Sequence, residues 1–235
     1  KNYEHGLPSE LALITLYRPE TGAPFAIIDG TLITTGGAGA RSWRDAFQEL
    51  YGTPADIGRF TDAGMTDPEV GRLTFVGVIG RDPNPEEMEA LMAERLTHLP
   101  RAVANSQGYR VLDGVEETLR TLSEQGYLLG LTTGGVEAAA HIKLARAGLN
   151  HYFCFGGYGS DSTDRSELTR CAIERAGVAR ANFFGYSMGG RVAYGLGLHA
   201  PERFESFIIG GGTFAPTPDG FDRATFPGAL ELLAT

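Results

Sequence analysis

The chain has 235 residues, 42% hydrophobic and 21% charged, a size and balance that fit one α/β domain or a domain with a small additional unit. A formal net charge of -9 argues against a nucleic-acid partner, because phosphate binding needs a basic face. Cys154 and Cys171 are too few for a disulfide framework and lack zinc spacing, no apolar run approaches the roughly 20 residues of a membrane span, and the start has no charged-then-apolar signal pattern, so a cytoplasmic setting with no membrane partner is expected.

Leu11 to Tyr17 is apolar and reads as a strand or short helix ahead of the turn-rich Arg18-Pro19-Glu20-Thr21-Gly22. Phe25 to Ile28 reads as a short buried strand running into Asp29-Gly30-Thr31-Leu32, with a loop at Thr34-Thr35-Gly36-Gly37. Helical spacing of Trp43, Ala46, Phe47 and Leu50 predicts a helix over Ala38 to Tyr51. Two further helices, Pro68 to Ile79 and Pro85 to Leu99, open with proline at or near the first turn. Beyond this strand-free block, at about 36–108, helices are expected at Gly114 to Gln125, Val136 to Ala147, Glu167 to Ala176 and Arg191 to His199. Strands are expected at Tyr127 to Thr133, Tyr152 to Phe155, Asn182 to Gly185 and Phe204 to Ile209, with a last short helix near Ala229 to Leu233. Alternating strands and helices predict a parallel sheet with crossovers, and the helical block an insertion over the C-terminal edge of that sheet, where α/β ligands bind.

The run Phe25-Ala26-Ile27-Ile28-Asp29-Gly30-Thr31-Leu32 resembles the first motif of the haloacid dehalogenase (HAD)-like hydrolases, whose first strand ends in Asp-x-Asp-Gly-Thr-Leu. In that family the first Asp is the nucleophile and the second the general acid/base. Asp29 fills the second place and Ile27 the first. The resemblance spans residues 25–177 and is to the phosphoglycolate-phosphatase-like branch. It implies a Rossmann-like α/β core, 1–35 and 109–235, with a parallel sheet and an inserted helical cap, 36–108. Gly64-Met65-Thr66-Asp67-Pro68-Glu69 resembles the substrate-facing turn of the cap, and Val111-Leu112-Asp113-Gly114-Val115 the return to the core. The second motif corresponds to Gly130-Leu131-Thr132-Thr133-Gly134, with Thr133 as hydroxyl donor to a phosphoryl oxygen. Thr66 and Gly134 are the implied substrate contacts. The third motif supplies a charge-neutralising lysine, matched by Lys143 in His141-Ile142-Lys143-Leu144; the alternative is that Lys143 is a solvated helix residue. The resemblance also implies Mg²⁺, with Asp29 as a ligand. The fourth-motif acids that would complete its oxygen shell are replaced by Phe183-Phe184-Gly185-Tyr186-Ser187-Met188-Gly189-Gly190. Asp161 and Asp164 lie just before this and read either as substitutes or, more simply, as turn and cap residues of the following helix. If Asp29 itself attacked phosphorus, Thr31 would stand in the acid/base place, although Gly-Thr-Leu holds Asp29 in the second place of the motif.

Gly185-Tyr186-Ser187-Met188-Gly189 also matches G-x-S-x-G, the nucleophile elbow of α/β-hydrolases, and that resemblance continues over 182–212. A working elbow needs a later acid and histidine. After Ser187 the chain offers His199, twelve positions on in the following helix and about 18 Å along its axis. Ser187 reads more simply as a small residue in a tight glycine-rich turn. Three functions are thus in play, all on a small-molecule substrate or ligand. The first is a HAD-like phosphatase with an altered active site and Asp29, Thr31, Thr133 and Lys143 as candidate catalytic groups. The others are a non-catalytic HAD-fold or chimeric protein that binds a small acidic ligand, and a serine esterase using Ser187.

Overall fold

The structure, a computed structural model, describes residues 13–17, 24–29, 32–62, 64–186 and 188–210. Strands β1 (Leu13–Tyr17), β2 (Pro24–Asp29), β5 (Leu129–Thr133) and β6 (Phe153–Tyr158) form one sheet in the order β1-β2-β5-β6. The pairs β2–β5 and β5–β6 are parallel, as the alternation of strands and helices predicts. The segment expected as a strand or short helix is β1, an antiparallel strand paired with β2 over all five of its residues. Two further strands, β7 (Ala181–Tyr186) and β8 (Phe204–Gly210), pair parallel across helix α7 (Met188–His199), and β7 runs beside β1. The helix expected near Ala229 lies outside the described residues.

Two short strands absent from the sequence reading, β3 (Ile33–Thr35) and β4 (Tyr109–Val111), pair as an antiparallel ribbon through which the chain leaves and re-enters the α/β unit. Between them lie α1 (Ala38–Tyr51), α2 (Asp67–Ile79) and α3 (Pro85–Ala104). Their starts and stops follow local chemistry. Gly52 and Gly80 take left-handed backbone as C-caps of α1 and α2, at φ 67 and 87°. Asn84 and Glu87 form a reciprocal capping box at α3, with Pro85 at its first position. Trp43, Ala46 and Phe47 of α1 bury with Phe75 of α2 and Leu91 of α3. A second apolar seam joins Ala38, Leu99, Ala102 and Val103 to Val136 and Ala139, at and just inside the start of α5 (Glu137–Ala145). The inserted block is therefore packed on the helix that follows β5. Helices α4 (Val115–Glu124) and α5 cover the sheet around Leu129 and Leu131, and α6 (Arg165–Arg175) packs with α7 around Ile173, Phe183 and Leu196.

The α3 cap predicts a pH response. The Arg81 guanidinium, and after it the Asn84 backbone N–H, hold the Glu87 carboxyl at about 2, against an ordinary 4.5. A depressed carboxyl contributes stability that is present above its unfolded value and is lost as pH falls through the folded one. Amide protection in the first turn of α3 is therefore expected to be full above about pH 4.5 and to fall progressively as pH drops from there toward 2. In Glu87→Gln that acid transition should be absent.

Candidate active site

The parallel register puts Asp29, the last residue of β2, beside Thr132 of β5, so the ends of β2 and β5 open on one edge of the sheet. Thr133 ends β5 with Tyr158 of β6 beside it. The loop Thr133-Gly134-Gly135-Val136 then turns the chain into α5. Backbone bonds fix this loop from both sides. The Thr133 hydroxyl oxygen accepts from Gly135 N–H at 3.1 Å, and the Gly135 carbonyl accepts from Gly159 N–H at 2.9 Å. The Gly134 carbonyl accepts from Asp67 N–H, in the inserted block, at 2.7 Å. A Cβ on Gly134 would lie 2.7 Å from the Met65 carbonyl oxygen and 3.2 Å from Thr66 Cα, so glycine is needed where the inserted block lands on the loop.

Three polar groups face Gly135. A Cβ built there would lie 3.4 Å from Asp67 Oδ2, 3.5 Å from Thr133 Oγ1 and 3.7 Å from Lys143 Nζ. Lys143 is half-buried, with its ammonium turned toward this loop. With Thr133 it lines a cavity of about 60 Å³ whose other walls are Leu32, Ile33, Leu131, Ala140 and Leu144. Burial in this apolar setting pushes the ammonium below the ordinary lysine range; Asp67 opposes that shift and Arg95 adds to it. Asp67 Oδ2 accepts from Val136 N–H at 2.9 Å and from Arg95 Nη1 at 2.7 Å. Arg95 is 1% exposed, and its guanidinium lies 4.6 Å from the centre of the Trp43 ring. Thr66 is equally buried, and among the described residues its Oγ1 has no hydrogen-bond partner.

Of the residues singled out from sequence, Thr66, Thr133, Gly134 and Lys143 come together, with the backbone of Asp29 at the neighbouring strand end. Thr31 and Ser187 lie outside the described residues. The strand and helix flanking Ser187 do form, but β1 lies between β7 and β2, so β7 is not the neighbour of the strand that carries Asp29. Asp161 and Asp164 are turn and cap residues. Asp161 pairs with Arg175 at 2.7 Å through both oxygens and accepts from Tyr158 N–H, while Asp164 caps α6 by accepting from Ser166 N–H at 2.7 Å. Among the described residues no group of three or more His, Cys, Asp or Glu side chains is placed to hold a metal ion.

Sequence reasoning missed Asp67 and Arg95. Arg95 carries a legible signal: it occupies the i+4 position between Leu91 and Leu99, on the buried stripe of α3. A lone charge on such a stripe asks for a buried partner.

The family model for haloacid dehalogenase-like hydrolases matches residues 28–176. Among solved structures, CbbY from Rhodobacter sphaeroides in complex with phosphate is 16% identical, with a TM-score of 0.51 over 79% of this chain and 84% of that one. A haloacid dehalogenase-like hydrolase from Bacteroides fragilis is 18% identical, with a TM-score of 0.50 over 77% and 93%. Both likenesses concern the fold. A comparison with the curated proteins returns no match.

Proposed function

The chain belongs to the haloacid dehalogenase-like hydrolases, and from that premise we propose that it is a phosphatase-type member acting on a small phosphorylated metabolite held between a core, 1–35 and 109–235, and a cap, 36–108. The observation that carries this reading is the meeting of Lys143 Nζ and Thr133 Oγ1 over Gly135 at the carboxyl end of a parallel strand. A half-buried ammonium and a hydroxyl aimed at one point suit the oxygens of a phosphoryl group, and in a largely apolar setting each is worth more than in water. In this reading Thr133 donates to a phosphoryl oxygen and the Gly134 turn lets the substrate approach the backbone. Lys143 offsets the negative charge, and the unpartnered Thr66 hydroxyl meets the substrate from the cap side. Asp29 is the acid/base group, with Thr31 taking that place if Asp29 attacks.

The resemblance implies Mg²⁺, which asks for octahedral oxygen ligands. The described carboxylates do not fit it: Asp67, Asp161 and Asp164 are committed to Arg95 and Val136, to Arg175, and to the α6 N-terminus. Together with Ile27 in the nucleophile place, this favours a second reading in which the same site binds a phosphorylated or acidic ligand without turnover.

Hydrolysis of p-nitrophenyl phosphate, measured with inorganic phosphate binding, separates the readings. Lys143→Met is expected to lower kcat/KM about 100-fold, the loss typical of removing one preorganised group from charge developing in a buried site. It should weaken inorganic phosphate binding in parallel, and Asp29→Ala should abolish phosphate release. Phosphate binding that depends on Lys143, without turnover, would select the binding reading. Cleavage of p-nitrophenyl acetate lost in Ser187→Ala would replace both with the esterase.

A further inference from the structure

We infer that Asp67 is a positioning residue: one oxygen of its carboxylate ties the cap to the start of the helix that carries Lys143, so that seating the cap and placing the lysine are a single event. The inference rests on Lys143 being a site residue, as proposed above.

Asp67 opens α2, where an acid is favoured by the helix dipole without any further contact. Its side chain does more than that. Oδ2 reaches out of the cap to accept from Val136 N–H, at the N-cap of α5, while holding Arg95 on its other side. Its own backbone N–H donates to the Gly134 carbonyl, so a single cap residue bonds the loop at both Gly134 and Val136. The far end of α5 is gripped by the return linker of the cap. Tyr109 Oη donates to the Lys143 carbonyl at 2.7 Å, and Arg146 Nη1 donates to the Ser106 carbonyl at 2.9 Å and to the Val103 carbonyl. The Arg146 guanidinium also lies 4.4 Å from the centre of the Tyr109 ring.

Helix α5 has nine residues, too few to be stable on its own. Its position is therefore set by what it docks on, and both ends dock on the cap or its linker. Between those ends, Val136 and Ala139 pack on Leu99 and Val103 of α3. The N-terminal tether is the one built on an ion pair, Asp67 with Arg95, and it is the one nearest the loop that shapes the site. A buried ion pair is weak support for stability compared with a well-packed apolar pair, but it fixes one arrangement against others. Here that arrangement is the register of the cap on the Thr133–Val136 loop.

The test acetylates the folded full-length protein with an N-hydroxysuccinimide acetate and reads Lys143 labelling by mass spectrometry. Three variants are compared. Asp67→Ala removes the tether, while Asp67→Asn keeps an acceptor oxygen. Val136→Pro removes the donated N–H while keeping an apolar side chain against α3, at a residue whose φ of -65° already suits proline. Lys143 labelling should rise about tenfold in Asp67→Ala and in Val136→Pro, the factor expected from losing one charge-assisted hydrogen bond. It should rise little in Asp67→Asn. Inorganic phosphate affinity is measured alongside. Asp67→Ala should weaken it about tenfold in the otherwise native protein and leave it unchanged in a Lys143→Met background. Unchanged Lys143 labelling in both Asp67→Ala and Val136→Pro overturns the proposal, as does an equal affinity loss in both backgrounds. If phosphate binds to neither form, the phosphatase and binding readings fall, and the labelling result still decides whether Asp67 positions Lys143.

Discussion

Arg95→Ala lowers the stability of the folded protein by about 3–5 kcal/mol, the range for breaking a buried ion pair by removing one partner. Arg95 is buried within the cap, with Asp67 on one side and the Trp43 ring beside it. Truncation leaves the Asp67 carboxylate with one neutral donor, Val136 N–H, in a site largely closed to water. It also leaves the space of a long side chain against an aromatic ring. For a chain of this size the melting temperature should fall by about 10 °C. The cause is separable by a double-mutant cycle. If the stranded Asp67 charge is the main cost, Arg95→Ala combined with Asp67→Ala should lose about 2 kcal/mol less than the sum of the single variants. Strict additivity in thermal or urea unfolding would place the cost in packing and not in the pair.

Gly157→Ala should be the most damaging of the small substitutions near the site. A Cβ at this position of β6 would lie 1.8 Å from the Leu168 carbonyl oxygen of α6 and 3.3 Å from Ala172 Cβ. The first of these is backbone, so no rotamer change relieves it; strand and helix must separate. Overpacking of this kind costs about 3 kcal/mol or more when the neighbour cannot yield. The strain falls next to Tyr158, which sits beside Thr133 in the ladder, so loss of stability and loss of phosphate binding should appear together. Gly39→Ala is the control. Gly39 lies in the first turn of α1 with nothing within 4 Å of a built Cβ. Replacing it should add about 0.5 kcal/mol through helix propensity and the reduced freedom of the unfolded chain. Opposite signs in chemical denaturation check the pair. A similar loss for both would mean that the gap between β6 and α6 is not what decides the effect.

The parts of this molecule legible in the sequence are those fixed by neighbours along the chain. Helix α3 announces itself through Asn84, Pro85 and Glu87, whose cap bonds are three residues apart. Thr133 and Lys143 could be placed together because strand, glycine loop and helix form one local unit between them. Short elements resist such reading. A run of five residues such as Leu13–Tyr17 holds too little periodicity to separate strand from helix, and pairing with β2 decides it. Strands β3 and β4 have three residues each and exist because they face one another, with Thr34 Oγ1 bonding the Gly108 carbonyl at 2.8 Å. The Asp67 tether is the extreme case. The turn that holds it stands out in the sequence, but its partners lie 28 and 69 positions away, so nothing near Asp67 in the chain marks it as a tether.

The ribbon between the two units carries a consequence for how they relate along the chain. A Cβ on Gly36 would lie 2.5 Å from Gly108 Cα, which puts the two main chains within about 4 Å of each other, close to the spacing of consecutive residues. The excursion of some seventy residues that holds α1, α2 and α3 thus begins and ends at one spot. To the sheet, the excursion has the footprint of a tight turn, so α1, α2 and α3 can lengthen, shorten or change their lining without asking any strand to shift its register. The register of the sheet is thereby independent of the length and lining of the excursion, apart from the contacts where the excursion folds back onto the loop after β5.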